Sequence, residues 1–110
     1  MASGTLGTPA SMLAATYTTI YTVPTGKVAT VNLNLVNTNY AAVLVRVAIT
    51  SSGTPGANDW VEYDAYLKAA GDLTNSNVLE RTAFMLEAGK SIVCYSNTAG
   101  VTARAYGAEG

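Results

Sequence analysis

Few residues in this 110-residue chain could do chemistry. Histidine is absent, so His-dependent nucleophile systems, the common neutral-pH proton shuttle and most zinc sites have nothing to work with. Glu62 and Asp64 stand two apart in Asp59-Trp60-Val61-Glu62-Tyr63-Asp64-Ala65-Tyr66-Leu67. On one strand face they would lie about 7 Å apart, a spacing that suits an inverting pair of carboxylates. Alternating acids are equally an ordinary solvated face, and nothing near them in sequence would raise either pKa. Asp59, Glu62, Asp64 and Asp72 offer oxygen donors for calcium, but without the tight spacing of a calcium-binding loop.

Cys94 has no imidazole partner and reads as a small buried hydrophobe rather than a nucleophile. Gly89-Lys90-Ser91 imitates the end of a phosphate-binding loop, yet Phe84 stands where that motif needs its first glycine and the flanks read strand-turn-strand. Trp60, Tyr63 and Tyr66 could stack on a sugar or a base. Simple alternation puts Trp60 and Tyr66 on one face and Tyr63 on the other, which favours core or subunit-interface packing. No catalytic, cofactor-binding or metal-binding residue is assigned on this reading, and no cofactor is expected.

The elements that would carry these residues are strands. Ala29, Val31, Leu33 and Leu35 alternate with Thr30, Asn32 and Asn34, the period of a half-buried strand. Val43, Val45, Val47 and Ile49 repeat the pattern against Leu44, Arg46, Ala48 and Thr50, and their β-branched content suits a pleated surface. With Thr38–Ala41 as a tight connection, the two read as a central hairpin that the rest of the chain covers. Val23-Pro24-Thr25-Gly26-Lys27 is a reverse turn, with Pro24 presetting φ and Gly26 free to turn left-handed. Thr16–Val23, Asp59–Leu67, Val78–Leu86, Ser91–Ser96 and Val101–Tyr106 read as further strands, with Ser51–Asn58 and Lys68–Asn77 as surface loops. Val61, Tyr63, Ala65 and Leu67 are expected to face the core.

The two halves echo each other. Val23–Lys27, a strand, an Asn and Val45-Arg46-Val47 match Leu86–Lys90, a strand, Asn97 and Ala103-Arg104-Ala105. Two similar hairpins would each supply an inner face to a two-layer sandwich. The expected fold is therefore all-β, an antiparallel β-sandwich of about seven strands, jelly-roll or immunoglobulin-like. Residues 1–15, uncharged and rich in Gly, Ser, Thr and Ala, are expected to be a flexible extended arm; residues 16–110 form the single domain.

Composition narrows the partners. Net charge is −1, and Lys27, Arg46, Lys68, Arg81, Lys90 and Arg104 are spread along the chain, which leaves no footprint for nucleic acid or anionic membrane. No apolar run approaches the roughly 20 residues of a membrane span. The N-terminus lacks the pattern of a signal peptide. A lone cysteine fits synthesis in a reducing cytoplasm. Apolar content is high for so few charges, which predicts exposed apolar contacts and a homo-oligomer, a trimer if it caps three-fold positions of a shell.

Ile20 to Asn34, Val45-Arg46-Val47-Ala48-Ile49, Asp59 to Asp64, Val78-Leu79-Glu80-Arg81-Thr82 and Leu86 to Lys90 together resemble small structural proteins of tailed bacteriophages, particularly those of cyanobacteria and other marine bacteria. The resemblance spans Tyr17 to Glu109 and rests on turns and strands, so it transfers no residue's role. It implies a non-enzymatic β-sandwich module of the virion, made in the host cytoplasm. A capsid decoration (cement) protein bound to the major capsid protein is the leading expectation, ahead of a tail, neck or fibre component. The rival from another class is a carbohydrate-binding module using Trp60 and Tyr66.

Overall fold

The computed structural model describes residues 2–73 and 76–110. Met1 of the expected arm and Thr74 and Asn75 of the expected Lys68–Asn77 loop lie outside the described residues. Eight strands follow in order: β1 (Ala2–Met12), β2 (Thr18–Thr22), β3 (Ala29–Asn37), β4 (Val43–Thr50), β5 (Trp60–Leu67), β6 (Val78–Leu86), β7 (Ser91–Ser96) and β8 (Val101–Glu109). No helix occurs among the described residues.

The strands form two four-stranded antiparallel sheets, one ordered β1-β8-β3-β6 and the other β2-β7-β4-β5. The pairs β1/β8 and β3/β6 lie in the first sheet, β2/β7 and β4/β5 in the second. An antiparallel ribbon wound in this way over two layers is the jelly roll, which decides between the two sandwich types that the sequence left open.

Alternation builds the core. Val31, Leu33 and Leu35 of β3 and Val43, Val45 and Val47 of β4 are buried and meet Ile20, Ile92, Cys94, Val101, Ala103 and Ala105 in one cluster between the sheets. Each fully buried Val or Leu stabilises the fold by roughly 1.5–3 kcal/mol. Among the described residues no buried side-chain nitrogen or oxygen lacks a hydrogen-bond partner. Asn37, fully buried, donates from Nδ2 to the carbonyls of Ala41 and Lys68, both at 2.9 Å, and accepts the Asn39 N–H at 2.9 Å.

Three expectations are corrected. First, β3 and β4 are not a hairpin: β3 pairs with β6 and β8, while β4 pairs with β5 and β7 in the opposite sheet. A strand with one apolar face can bury it beside its neighbour or across the sandwich, and alternation is the same in both cases. The 38–42 connection crosses between layers, as does 97–100 between β7 and β8.

Second, the N-terminal stretch is not a flexible arm but strand β1, and it raises the count to eight. It pairs with β8 from Ala2 opposite Glu109 to Met12 opposite Val101, and Leu6 and Met12 are buried in the core. Its small residues lack apolar bulk, so the ladder and two anchors hold it. At the irregularity between Leu6 and Ala10, Gly7 adopts φ +65 and a Cβ there would stand 2.1 Å from the Ile20 carbonyl oxygen, so only glycine fits.

Third, the inward set Val61, Tyr63, Ala65 and Leu67 does not hold. Leu67 is buried and Ala65 packs on the core, but Val61 and Tyr63 are exposed. The ladder shifts between Val45 opposite Ala65 and Val47 opposite Glu62, leaving Tyr63 and Asp64 together opposite Arg46. Asp64 takes φ 55 there. This is a β-bulge, and the extra residue reverses the phase of Tyr63 and Glu62, until a second shift between Val47 opposite Glu62 and Ala48 opposite Trp60 changes it again.

Candidate functional site

The bulge creates the side-chain cluster with the most chemistry on the surface. Arg46 alternates with buried Val45 and Val47 in β4, so its side chain emerges on the outer face of the β2-β7-β4-β5 sheet. Tyr95 stands opposite it on β7. On the other side are the two bulge residues. The guanidinium lies 4.1 Å from the Tyr63 ring centroid, 4.8 Å from that of Tyr95 and 5.8 Å from that of Trp60, within range of cation–π attraction.

Asp64 grips the guanidinium edge-on, accepting Nε at 2.7 Å and Nη2 at 3.3 Å. This bidentate bond, with the carboxylate's charge, raises the Arg46 pKa still further. The rings continue outward. Trp60 meets Tyr63 in a T-shaped contact with centroids 5.1 Å apart, and Tyr17 joins Trp60 at 6.1 Å and Tyr95 at 5.5 Å. Beneath them Ala48 and Val93, paired across β4 and β7 and absent from the inner cluster, are fully buried. Trp60 faces Ala48 across the ladder, so the rings roof this part of the sheet.

The other chemistry-bearing residues go elsewhere. Glu62 is held by Arg81 of β6, in the opposite sheet, and the pair bridges the β5/β6 side of the sandwich. Glu62 and Asp64 therefore do not share a face, and each carboxylate is tied to its own arginine. Asp59 accepts the Gly56 N–H at 2.7 Å, a turn contact in the loop. Among the described residues no three His, Cys, Asp or Glu side chains gather to hold a metal ion. Cys94 is fully buried in the core, and desolvation pushes its thiol up to about 12. Gly89-Lys90-Ser91 lies at the β6-to-β7 turn, with Lys90 Nζ donating to Ser51 Oγ at 2.9 Å.

Trp60 and Tyr66, the pair of the rival carbohydrate reading, are not in ring contact: Trp60 joins Tyr63, while Tyr66 is exposed beside Lys68, whose Nζ is 4.9 Å from its ring centroid. The sequence reading missed Arg46, Tyr95 and Tyr17, which meet the bulge only through strand pairing. A lone arginine amid the apolar alternation of β4 was the available signal.

A second feature lies between edge strands β1 and β2, where a hollow of about 390 Å³ is lined by Leu6, Gly7, Ile20, Tyr21 and Glu109 among others. Tyr21, buried, donates its hydroxyl to Glu109 Oε2. Burial first, and that bond second, raise the Tyr21 pKa well above the ordinary tyrosine range. A third is an apolar hollow of about 430 Å³ at one end of the other sheet, lined by Val28, Met85, Leu86 and Ala108 among others. Met85 is 85% exposed there. Comparison with known proteins returned no match to this chain among protein-family models, curated proteins or solved structures.

Proposed function

We propose that this chain is a non-enzymatic structural component of a tailed-bacteriophage virion, acting as a capsid decoration (cement) protein that binds and stabilises the assembled shell. The observation that carries the reading is the strand order β1-β8-β3-β6 over β2-β7-β4-β5, an architecture that viral capsid domains use. It joins the resemblance of Tyr17 to Glu109 to phage structural proteins. A shared fold hosts many functions, so the surface must also suit assembly. Val28, Tyr40, Leu73 and Met85 are exposed apolar or aromatic side chains, and the hollow beside Val28 and Met85 is a contact surface that a neighbouring subunit would fill. The partners on this reading are the major capsid protein and further copies of the chain, as trimers.

The test is to mix the purified chain with phage shells that lack it, sediment the particles, and locate bound chain by electron microscopy. Saturable binding at regular lattice positions, with shells that resist heating better, is the expected result. Failure to associate with shells, or density confined to the tail, would reject decoration.

A further inference from the structure

We propose that the ring cluster around Arg46, on the outer face of the β2-β7-β4-β5 sheet, is a binding site for a neutral oligosaccharide. The first support is the backbone. A non-glycine residue at φ 55, as at Asp64, is strained by about 1–3 kcal/mol, and such positions concentrate where a side chain must be aimed. The bulge turns Tyr63 and Asp64 outward together, although an unbulged strand would have sent one of them to the core.

The second support is the surface so made. Tyr63 is 58% exposed although the Arg46 guanidinium lies 4.1 Å from its ring centroid and Trp60 meets it in a T-shaped contact, so part of the ring remains accessible to a ligand. Tyr17 is exposed beside Trp60 and Tyr95, which are half-buried. Flat ring faces receive the apolar C–H face of a pyranose, and aromatic side chains also carry polar tips for its hydroxyls.

Charge selects the class. Arg46 and Asp64 cancel each other, so the site has no net charge to draw a sulfated or phosphorylated sugar. The pair still has capacity to spare: Nη1 of Arg46 has no hydrogen-bond partner among the described residues, and Asp64 Oδ2 takes only the 3.3 Å contact from Nη2. Donor and acceptor beside each other, flanked by the Trp60 indole N–H and the phenols of Tyr17, Tyr63 and Tyr95, match a ligand whose every hydroxyl is both donor and acceptor.

Trp60 is the chain's only tryptophan, so its fluorescence reports on this site directly. The full chain is titrated with cellohexaose, maltohexaose and chitohexaose, and with a heparin-derived hexasaccharide as the sulfated control. At least one neutral hexasaccharide should shift Trp60 emission saturably, and the sulfated one should not. Tyr63→Leu and Arg46→Ala should weaken that binding about tenfold or more, whereas Tyr40→Ala, an exposed tyrosine outside the cluster, should leave it unchanged. Thermal unfolding checks each variant; if Arg46→Ala does not fold, Tyr63→Leu decides alone. No saturable shift with any neutral hexasaccharide overturns the proposal, as does a shift that survives Tyr63→Leu. Loss of shell attachment in Tyr63→Leu without saccharide binding by the parent chain also overturns it, and reassigns the face to a protein partner.

Discussion

The Gly89 N–H donates to the Val23 carbonyl oxygen at 3.0 Å, and the Val23 N–H donates to the carbonyl of Lys90 at 2.9 Å. The two reverse turns that echo each other in sequence are thus bonded to each other at one end of the sandwich. Each closes on itself as well, Lys27 onto Pro24 at 3.1 Å and Lys90 onto Glu87 at 3.2 Å. At the crossover of the other end, Thr38 donates to Gly100 at 3.0 Å, and Leu44 exchanges two bonds with Asn97. The echo in the sequence marks positions that meet.

Gly26 and Gly89 sit at φ +78 and +83, and a Cβ on either would meet open space. Gly26→Ala and Gly89→Ala should therefore act through the backbone alone, each lowering stability by about 1–2 kcal/mol. Ala83 is the converse case. It holds φ 62 at the β6 bulge, its N–H bonded to Asn32 Oδ1 at 3.0 Å. Ala83→Gly should raise the urea midpoint, through a stability gain of up to about 1 kcal/mol after the unfolded chain's added freedom is offset. A lower midpoint for Ala83→Gly would remove the claim of strain.

Leu33→Ala should cost about 2–5 kcal/mol, because the buried side chain leaves a cavity between the sheets. Asn34, next along β3 and half-buried on the opposite face, should tolerate alanine within about 0.5 kcal/mol. Chemical denaturation of the two variants checks the facing of β3, and equal losses would mean that it is misassigned.

Deleting residues 1–10 would have left an arm-bearing domain intact. In this fold it removes Leu6 from the core and strips the ladder from one side of β8. The truncated chain should unfold at a markedly lower temperature or aggregate through the bared β8 edge. Circular dichroism during heating decides, and an unchanged transition would restore the arm.

Alkaline pH should destabilise the protein through Cys94. Its folded thiol is pushed up to about 12, against about 8.5 in an unfolded chain. As pH rises above about 8.5 the unfolded state loses this proton while the folded state keeps it. Stability is therefore full below that pH and falls as pH climbs towards 12. Tyr21 acts in the same direction from higher pH. Urea midpoints should decline over this range, less steeply in Cys94→Ala. The native thiol should also resist a thiol-specific disulfide reagent until the chain unfolds.

Strand positions were legible because side-chain alternation is local: Ala29 to Leu35 shows which face of β3 is apolar without reference to any other strand. Pairing was not, since burying Val31 beside a strand or across from one leaves the same pattern. Strand β1 was hidden because Gly, Thr, Ser and Ala do not alternate, and only Leu6 and Met12 hint at an inner face. The Arg46 cluster was illegible for two reasons. Its members come from β4, β5, β7 and the segment before β2, and its geometry depends on two register shifts in β5, at Tyr63-Asp64 and at Val61, that no glycine announces.

Strand order also governs when the molecule can be completed. The first four strands contribute two to each sheet, and so do the last four, so neither half closes a layer by itself. Strand β8 joins β1 to β3; until it arrives, the first sheet is divided between a lone β1 and the β3/β6 pair. A nascent chain leaving the ribosome would hold its apolar stripes unpaired through most of translation, exposed to neighbours and chaperones. Ordering would then come late, in a step of milliseconds to seconds dominated by distant contacts. Abundant synthesis of such a chain favours a cell that keeps it soluble until its final strand is made.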